Sequence, residues 1–337
     1  MNSRLKLLSA AFFLPALLSA APGQSLKLEE VLELVRTNLT DVSEAELSEA
    51  AAYGLLEKLG AKVQLVSANS ASQGPSNIVT RLGVYGRNFS YFRIETVSDG
   101  LAPKISEAWQ SLAATNRMRG TILDLRYAKG QDYQAAARTA DLFVQNEQSL
   151  FQAGDREFRS SPSGPKIKSP VAVLVNRQTS GAAEALAACL RQTGAALLIG
   201  GGTAGEARVF ETFELSTGQF LRIGKVPVQV GGQPIPASGI APDIAVEVST
   251  LDERAYYQDP FLVLPRLGME GGTNGAAPRG RRFNEADLVR RHREGLDLSV
   301  PDDAPSEPGR QIIMDPALAR AVDFLKGLAA LRPSGSD

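Results

Sequence analysis

Pro170-Val171-Ala172-Val173-Leu174-Val175-Asn176-Arg177-Gln178-Thr179-Ser180-Gly181-Ala182-Ala183-Glu184 is the stretch on which the fold turns. Its apolar, β-branched start reads as a buried strand. The run from Ala182 to Gln192, Ala-rich as far as Leu190, reads as a helix. Between them lies a tight turn of small residues, which sets positions 180 and 181 above the end of a sheet, beside the unpaired N–H groups that open a helix. Working outward, Tyr91 to Ile94, Gly120 to Arg126 and Ala196 to Ile199 also read as strands, and Leu101 to Thr115 and Tyr133 to Phe143 as helices. Strands and helices in alternation predict an α/β fold with a largely parallel sheet. A β-rich stretch follows the Ala-rich helix, with strands expected at Val209 to Leu215, Gln219 to Ile223 and Lys225 to Val230.

The turn, together with Gly120-Thr121-Ile122-Leu123-Asp124-Leu125-Arg126 before it, Thr203-Ala204-Gly205-Glu206 after it and Gly239-Ile240-Ala241-Pro242-Asp243 at the end, resembles the core of the tail-specific, or C-terminal processing, serine peptidases. The resemblance covers about Phe89 to Val248 and implies a crotonase-like α/β core. In that family the nucleophilic serine stands three residues before the glutamate that Glu184 matches; here that position is Gly181. A lysine base is expected 25 residues on, where this chain has Glu206, and a supporting glutamine four further, where it has Phe210. The loop after the second core strand usually carries two glycines near the developing oxyanion. Here it reads Asp124-Leu125-Arg126-Tyr127-Ala128-Lys129-Gly130-Gln131, with one glycine, Gly130, and Gln131 in place of the other. Asp124 and Arg126 read as a strand-end ion pair that positions this loop.

Two readings of the site follow. In the first, the frame is kept and the Ser-Lys chemistry is lost, leaving a noncatalytic relative that binds polypeptide or an envelope partner. In the second, the neighbouring Ser180 serves as nucleophile of a weakly active serine-type endopeptidase. One residue along a helix start turns a side chain by about 100°, which points Ser180 away from the expected base. A Glu206 carboxylate is also a far weaker base than a desolvated lysine unless burial raises its pKa.

Composition narrows the alternatives. A formal net charge of -1 leaves no electrostatic footprint for nucleic acid. Cys189, the only cysteine, lies in the Ala-rich helix and reads as a buried thiol, with no disulfide and no cysteine metal cluster to form. His292, the only histidine, sits in an Arg-rich stretch far from the turn, so neither a Ser-His-Asp triad nor a zinc site is expected, and no cofactor or metal is predicted. Arg4 and Lys6, the apolar run Leu7 to Leu18 and the small exit Ser19-Ala20-Ala21 read as a cleaved signal peptide over residues 1–20, too short to span a bilayer. A periplasmic or secreted protein without an integral membrane segment is expected; its oligomeric state is not encoded in any pattern.

The remaining organisation is read as a helical arm over 21–66, with helices at Leu28 to Arg36 and Ser43 to Leu59, the second opening on a capping box at Ser43 and Glu46. Residues 67–88 read as a linker where many members of the resembled family carry a PDZ domain. The core is expected over 89–250. A C-terminal extension over 251–337 would carry a glycine-rich loop, a basic cluster around Arg279 to Arg293 and a last amphipathic helix from Asp315 to Leu325, ending before or fraying beyond Gly327.

Overall fold

In the computed structural model, residues 26–39, 41–67, 78–86, 88–264 and 312–331 are described. The expected leader, the basic cluster, His292 and most of the small-residue stretch after Ser67 lie outside the described residues. Helix α1 (Leu28–Asn38) and helix α2 (Glu44–Leu59) fall within a first unit, Met1–Gly60. In α2 the Ser43 hydroxyl accepts from Glu46 N–H at 3.2 Å, while a Glu46 carboxylate oxygen accepts from Ser43 N–H at 2.9 Å. Those two bonds pair donors that a helix start leaves open.

The second unit, Ala61–Asp337, is built on a six-stranded sheet in the order β13-β8-β7-β4-β3-β2. Strands β3 (Phe89–Ile94), β4 (Gly120–Asp124), β7 (Val171–Val175), β8 (Ala196–Gly200) and β13 (Ile244–Ala245) run parallel. Strand β2 (Val79–Tyr85) closes one edge antiparallel to β3. Helices α3 (Leu101–Thr115), α4 (Tyr133–Asp141) and α5 (Ala182–Gln192) connect the strands.

Successive strand residues point to opposite faces, and both faces here are covered. Phe92, Leu123, Val173 and Leu198 pack with α5 residues such as Leu186 and Leu190 in one core. Tyr91, Ile122, Leu174 and Ile199 pack in a second core with Leu318, Val322 and Leu325 of α7 (Pro316–Leu331). The segment expected as an extension therefore supplies the second covering layer of the sheet, because Ala317, Leu318, Ala321, Val322 and Leu325 make one apolar stripe at helical spacing. Helix α7 also runs on through the exposed Gly327, because burial of Leu325 and Ala329 on either side outweighs the weak propensity of one glycine.

Three further differences from the sequence reading have local causes. Strand β2 falls inside the stretch read as linker, and its partial exposure hides it from a search for buried runs. Strand β10 (Phe220–Pro227) continues past Gly224, where a break was expected, by means of a β-bulge between Gly224 and Val226. It pairs with β1 (Val63–Val66) and β9 (Arg208–Glu214) in a three-stranded antiparallel sheet. A small four-stranded sheet joins the hairpin β5 (Ser149–Ala153) and β6 (Arg156–Arg159) to β11 (Gln229–Val230) and β12 (Gln233–Pro234). Last, α6 (Thr250–Gln258) is capped by Ser249, whose hydroxyl accepts from Asp252 N–H at 3.1 Å.

Candidate functional site

The turn after β7 is fastened before any functional group is placed on it. Thr179 donates its hydroxyl to the Leu125 carbonyl at 2.8 Å and accepts from Asn176 N–H at 3.0 Å. The Asn176 side-chain oxygen accepts from Tyr127 N–H and Gln178 N–H, each at 3.1 Å. Ser180 N–H donates to the Ala128 carbonyl at 2.9 Å. Turn and loop are thus zipped together at the C-terminal ends of β4 and β7, the edge at which open α/β sheets bind ligands. Tyr127 is held at φ 64°, a conformation that costs a non-glycine residue free energy and persists only where surrounding bonds dictate it.

Gly181 caps the N-terminus of α5 at φ 62° and ψ −124°. This is a region of backbone space almost confined to glycine. The Gly130 carbonyl oxygen lies where a side chain at 181 would begin, so an added Cβ would collide with it, and Gln131 Nε2 would lie 3.3 Å away. The same carbonyl accepts from Ala182 N–H at 2.9 Å. Ala182 N–H, the donor just past Gly181, is therefore engaged within the chain. Gly130 itself is backed by Val97, whose carbonyl oxygen an added Cβ at 130 would strike.

Glu184, fully buried, joins this turn to the loop that carries Glu206. Its Oε1 accepts from Thr203 Oγ1 at 2.5 Å and Gly205 N–H at 2.6 Å; its Oε2 accepts from Glu206 N–H at 2.7 Å and Gly181 N–H at 3.3 Å. Positions 181 and 206 are brought to one oxygen of the same carboxylate, and Glu206 meets the turn through its backbone. Burial, then the neighbouring Glu184 charge, raises the Glu206 carboxyl above its ordinary pKa. A raised carboxyl holds its proton more tightly in the folded chain, so stability falls as pH rises from the unfolded pKa through the folded one. Glu206→Gln is therefore expected to stabilise the protein at pH ~7 and to do so less at pH ~4, near the ordinary carboxylate range. Urea midpoints of both proteins at the two pH values check this; an equal difference at both would remove the charge as the cause.

Phe210 lies on β9 with the Arg222 guanidinium 4.9 Å from its ring centroid. Asp124 and Arg126 form a buried bidentate pair, Nε to Oδ1 at 2.9 Å and Nη2 to Oδ2 at 2.7 Å. Asp315, ahead of α7, brings Oδ2 to 2.8 Å from the same Nη2. Burial alone would push the Asp124 carboxyl up; the Arg126 charge, with hydrogen bonds from Arg126 and Tyr91, outweighs it and the net shift is downward. Cys189 is buried, which pushes its thiol up to about 12.

Sequence reasoning did not bring Lys129 and Ser180 together, but the fold does. Both line a cavity of about 440 Å³ with Arg93, Glu95, Tyr127 and Tyr257. The only available signal was their placement after β4 and β7, which becomes proximity only once those strands pair. Among the described residues no group of three or more His, Cys, Asp or Glu is placed to hold a metal ion, and no helix is long and apolar enough to cross a membrane.

This architecture coincides with the part of the chain that known proteins share. Residues 88–246 match Peptidase family S41. That stretch, just under half of the chain, carries the likeness to the family. The chain is 26% identical over 271 residues to the carboxy-terminal processing protease CtpA of Bacillus subtilis, covering 76% of this chain and 56% of that protein. It is 30% identical over 141 residues to a carboxyl-terminal-processing protease of Picosynechococcus, covering 41% of this chain and 34% of the relative. The chain thus spans about half or less of the length of these curated relatives. A solved structure of a candidate peptidase from Parabacteroides merdae shares the fold with a TM-score of 0.53 and 18% identity, over 69% of this chain and 85% of that one.

Proposed function

We propose that this protein binds extended polypeptide without cleaving it by the Ser-Lys route. The observation that carries this reading is the Gly130 carbonyl, which fills the space of a side chain at 181 and accepts from Ala182 N–H. An acyl-transfer site needs a nucleophile and two N–H groups aimed at the developing oxyanion. With Gly181 and Glu206 at the nucleophile and base positions, none of those parts stands ready. A groove needs neither, since extended chains are held largely by main-chain hydrogen bonds to a strand edge. Strand β9 offers such an edge: it leads out of the Thr203–Glu206 loop and, among the described residues, pairs only with β10. The crotonase-like form of the core, the residues of the 67–88 stretch ahead of strand β2 standing in place of a PDZ domain, and a periplasmic or secreted location belong to the same proposal.

A second reading is favoured by one observation and by the family's peptidases. Ser180 shares its cavity with Lys129, so a displaced serine–lysine pair would use those two. Against it, Lys129 is exposed, without the burial that turns a lysine into a general base. The test is covalent labelling of the mature protein by a serine-directed fluorophosphonate, with cleavage of an unfolded protein assayed in parallel. Neither is expected. Stoichiometric labelling abolished by both Ser180→Ala and Lys129→Ala would establish the second reading instead.

A further inference from the structure

The cavity beside the turn has a charge pattern that peptide-bond chemistry does not require. Arg93, 8% exposed, contributes to its wall. The guanidinium lies 4.0 Å from the Tyr257 ring centroid, and Nε donates to the Tyr91 hydroxyl at 3.1 Å. Tyr91 in turn donates to Asp124 Oδ2 at 2.7 Å. That leaves Arg93 Nη2 buried with no hydrogen-bond partner. Arg126, 5.6 Å from the same Tyr257 ring, also has Nη1 buried and unpartnered, but it lies behind the wall and does not line the cavity, so Arg93 is the donor that a ligand there would reach. Burying a charged donor without an acceptor costs free energy that an anion would restore.

The charges of the surrounding groups decide which ligand suits the site. Arg126 faces both Asp124 and Asp315, so that buried triad carries one excess negative charge, which Arg93 offsets through Tyr91. In the cavity wall Glu95 opposes an anion, while Arg93 and Lys129 favour one, and Ser180 and Gln178 add neutral donors. The wall's own charges, Arg93 and Lys129 against Glu95, sum to one positive, and the triad behind Tyr91 brings the total to zero, so the most charge the cavity suits is that of a singly charged, planar acceptor that a guanidinium can grip at two points. A doubly charged phosphate would meet Glu95 with too little opposing charge.

We infer that this cavity is a carboxylate-binding site, with Arg93 and Lys129 as its cations and Ser180 and Gln178 as supporting donors. The carboxylate can belong to the end of a polypeptide, a source that rests on the polypeptide-binding reading above, or to a free small acid. Ser180 then serves as a hydrogen-bond donor to the ligand rather than as a nucleophile.

Calorimetric titration of the mature protein with three probes tests this: an alanine-rich hexapeptide with a free carboxyl terminus, the same peptide amidated, and acetate. Hydrogen bonds from charged groups predict that the free-acid peptide binds roughly 10–100-fold more tightly than the amide. Lys129→Gln, on an exposed side chain that should not disturb folding, is expected to reduce that preference several-fold. Arg93→Gln is expected to abolish it, with folding checked by circular dichroism. Acetate binding as tightly as the peptide and lost in Lys129→Gln would assign the site to a free acid and set aside the polypeptide groove, while the carboxylate site would stand. Acid and amide peptides binding alike would overturn the carboxylate site and leave the groove intact. No binding of any probe up to millimolar concentration would overturn the site, as would affinities that Lys129→Gln leaves unchanged.

Discussion

Gly181→Ser is expected to destabilise the protein by about 3–5 kcal/mol, combining the strain of a side chain in a glycine-only conformation with forced overpacking. Gly181→Ala should lose nearly as much, since the first carbon, rather than the hydroxyl, meets the Gly130 carbonyl. Urea denaturation of the two variants measures this. The functional counterpart is that Gly181→Ser combined with Glu206→Lys will not restore peptidase turnover. The pair supplies a nucleophile and a base, but Ala182 N–H remains bonded to Gly130, and the Gly130 peptide is wedged between Val97 and the turn. Groups that act as a unit in acyl transfer yield little when returned piecemeal. A Gly181→Ser variant as stable as the starting protein would show that the Gly130 loop gives way easily, and the obstructed turn would then be a weak barrier to catalysis.

The pattern of residues carried some of this and not the rest, for identifiable reasons. Strand β7 and helices α3 and α5 have the bounds that their patterns predict, because long apolar or Ala-rich runs leave one structural choice. The proximity of positions 181 and 206 was implied by the resemblance, but its agent, Glu184, could only be named as a motif residue; its four donors come from two segments of chain, the turn at 181 and the 203–206 loop. The position of the Gly130 carbonyl was not legible at all. It depends on how the Tyr127 loop crosses the turn, which follows from the pairing of β4 with β7 and from Asn176 and Thr179 holding backbone groups across the gap. Strand β2 was lost for the opposite reason, since alternating half-exposed residues around Gly83 give a weak local signal that becomes a strand only beside β3. The cavity containing Arg93, Lys129 and Ser180 gathers residues from separate strand ends, so sequence spacing alone carried no trace of it.

Removing the Glu184 carboxylate should have the larger structural effect. Glu184→Ala would strand Gly181 N–H, Gly205 N–H, Glu206 N–H and the Thr203 hydroxyl at a buried position at once. Each unsatisfied buried donor costs about 1–3 kcal/mol, less when neighbours can shift to share the loss, so about 4–6 kcal/mol is expected, enough to unfold a marginal domain. Glu184→Gln is not a conservative exchange here. Its one oxygen can serve the donors of Oε1 or those of Oε2, and its amide nitrogen would then face two donors in place of an acceptor, so about half the loss should remain. Trp109, the only tryptophan, packs against the core that contains α5 and reports unfolding by fluorescence. If Glu184→Gln unfolded at the same urea concentration as the unaltered protein, the carboxylate would not be what ties the 203–206 loop to the turn. If the loss appears, the glutamate has a structural reason to be present whatever the roles of positions 181 and 206: it maintains the geometry of the turn, and the Gly130 carbonyl and the cavity around Arg93 depend on that geometry whether or not any bond is ever cut there.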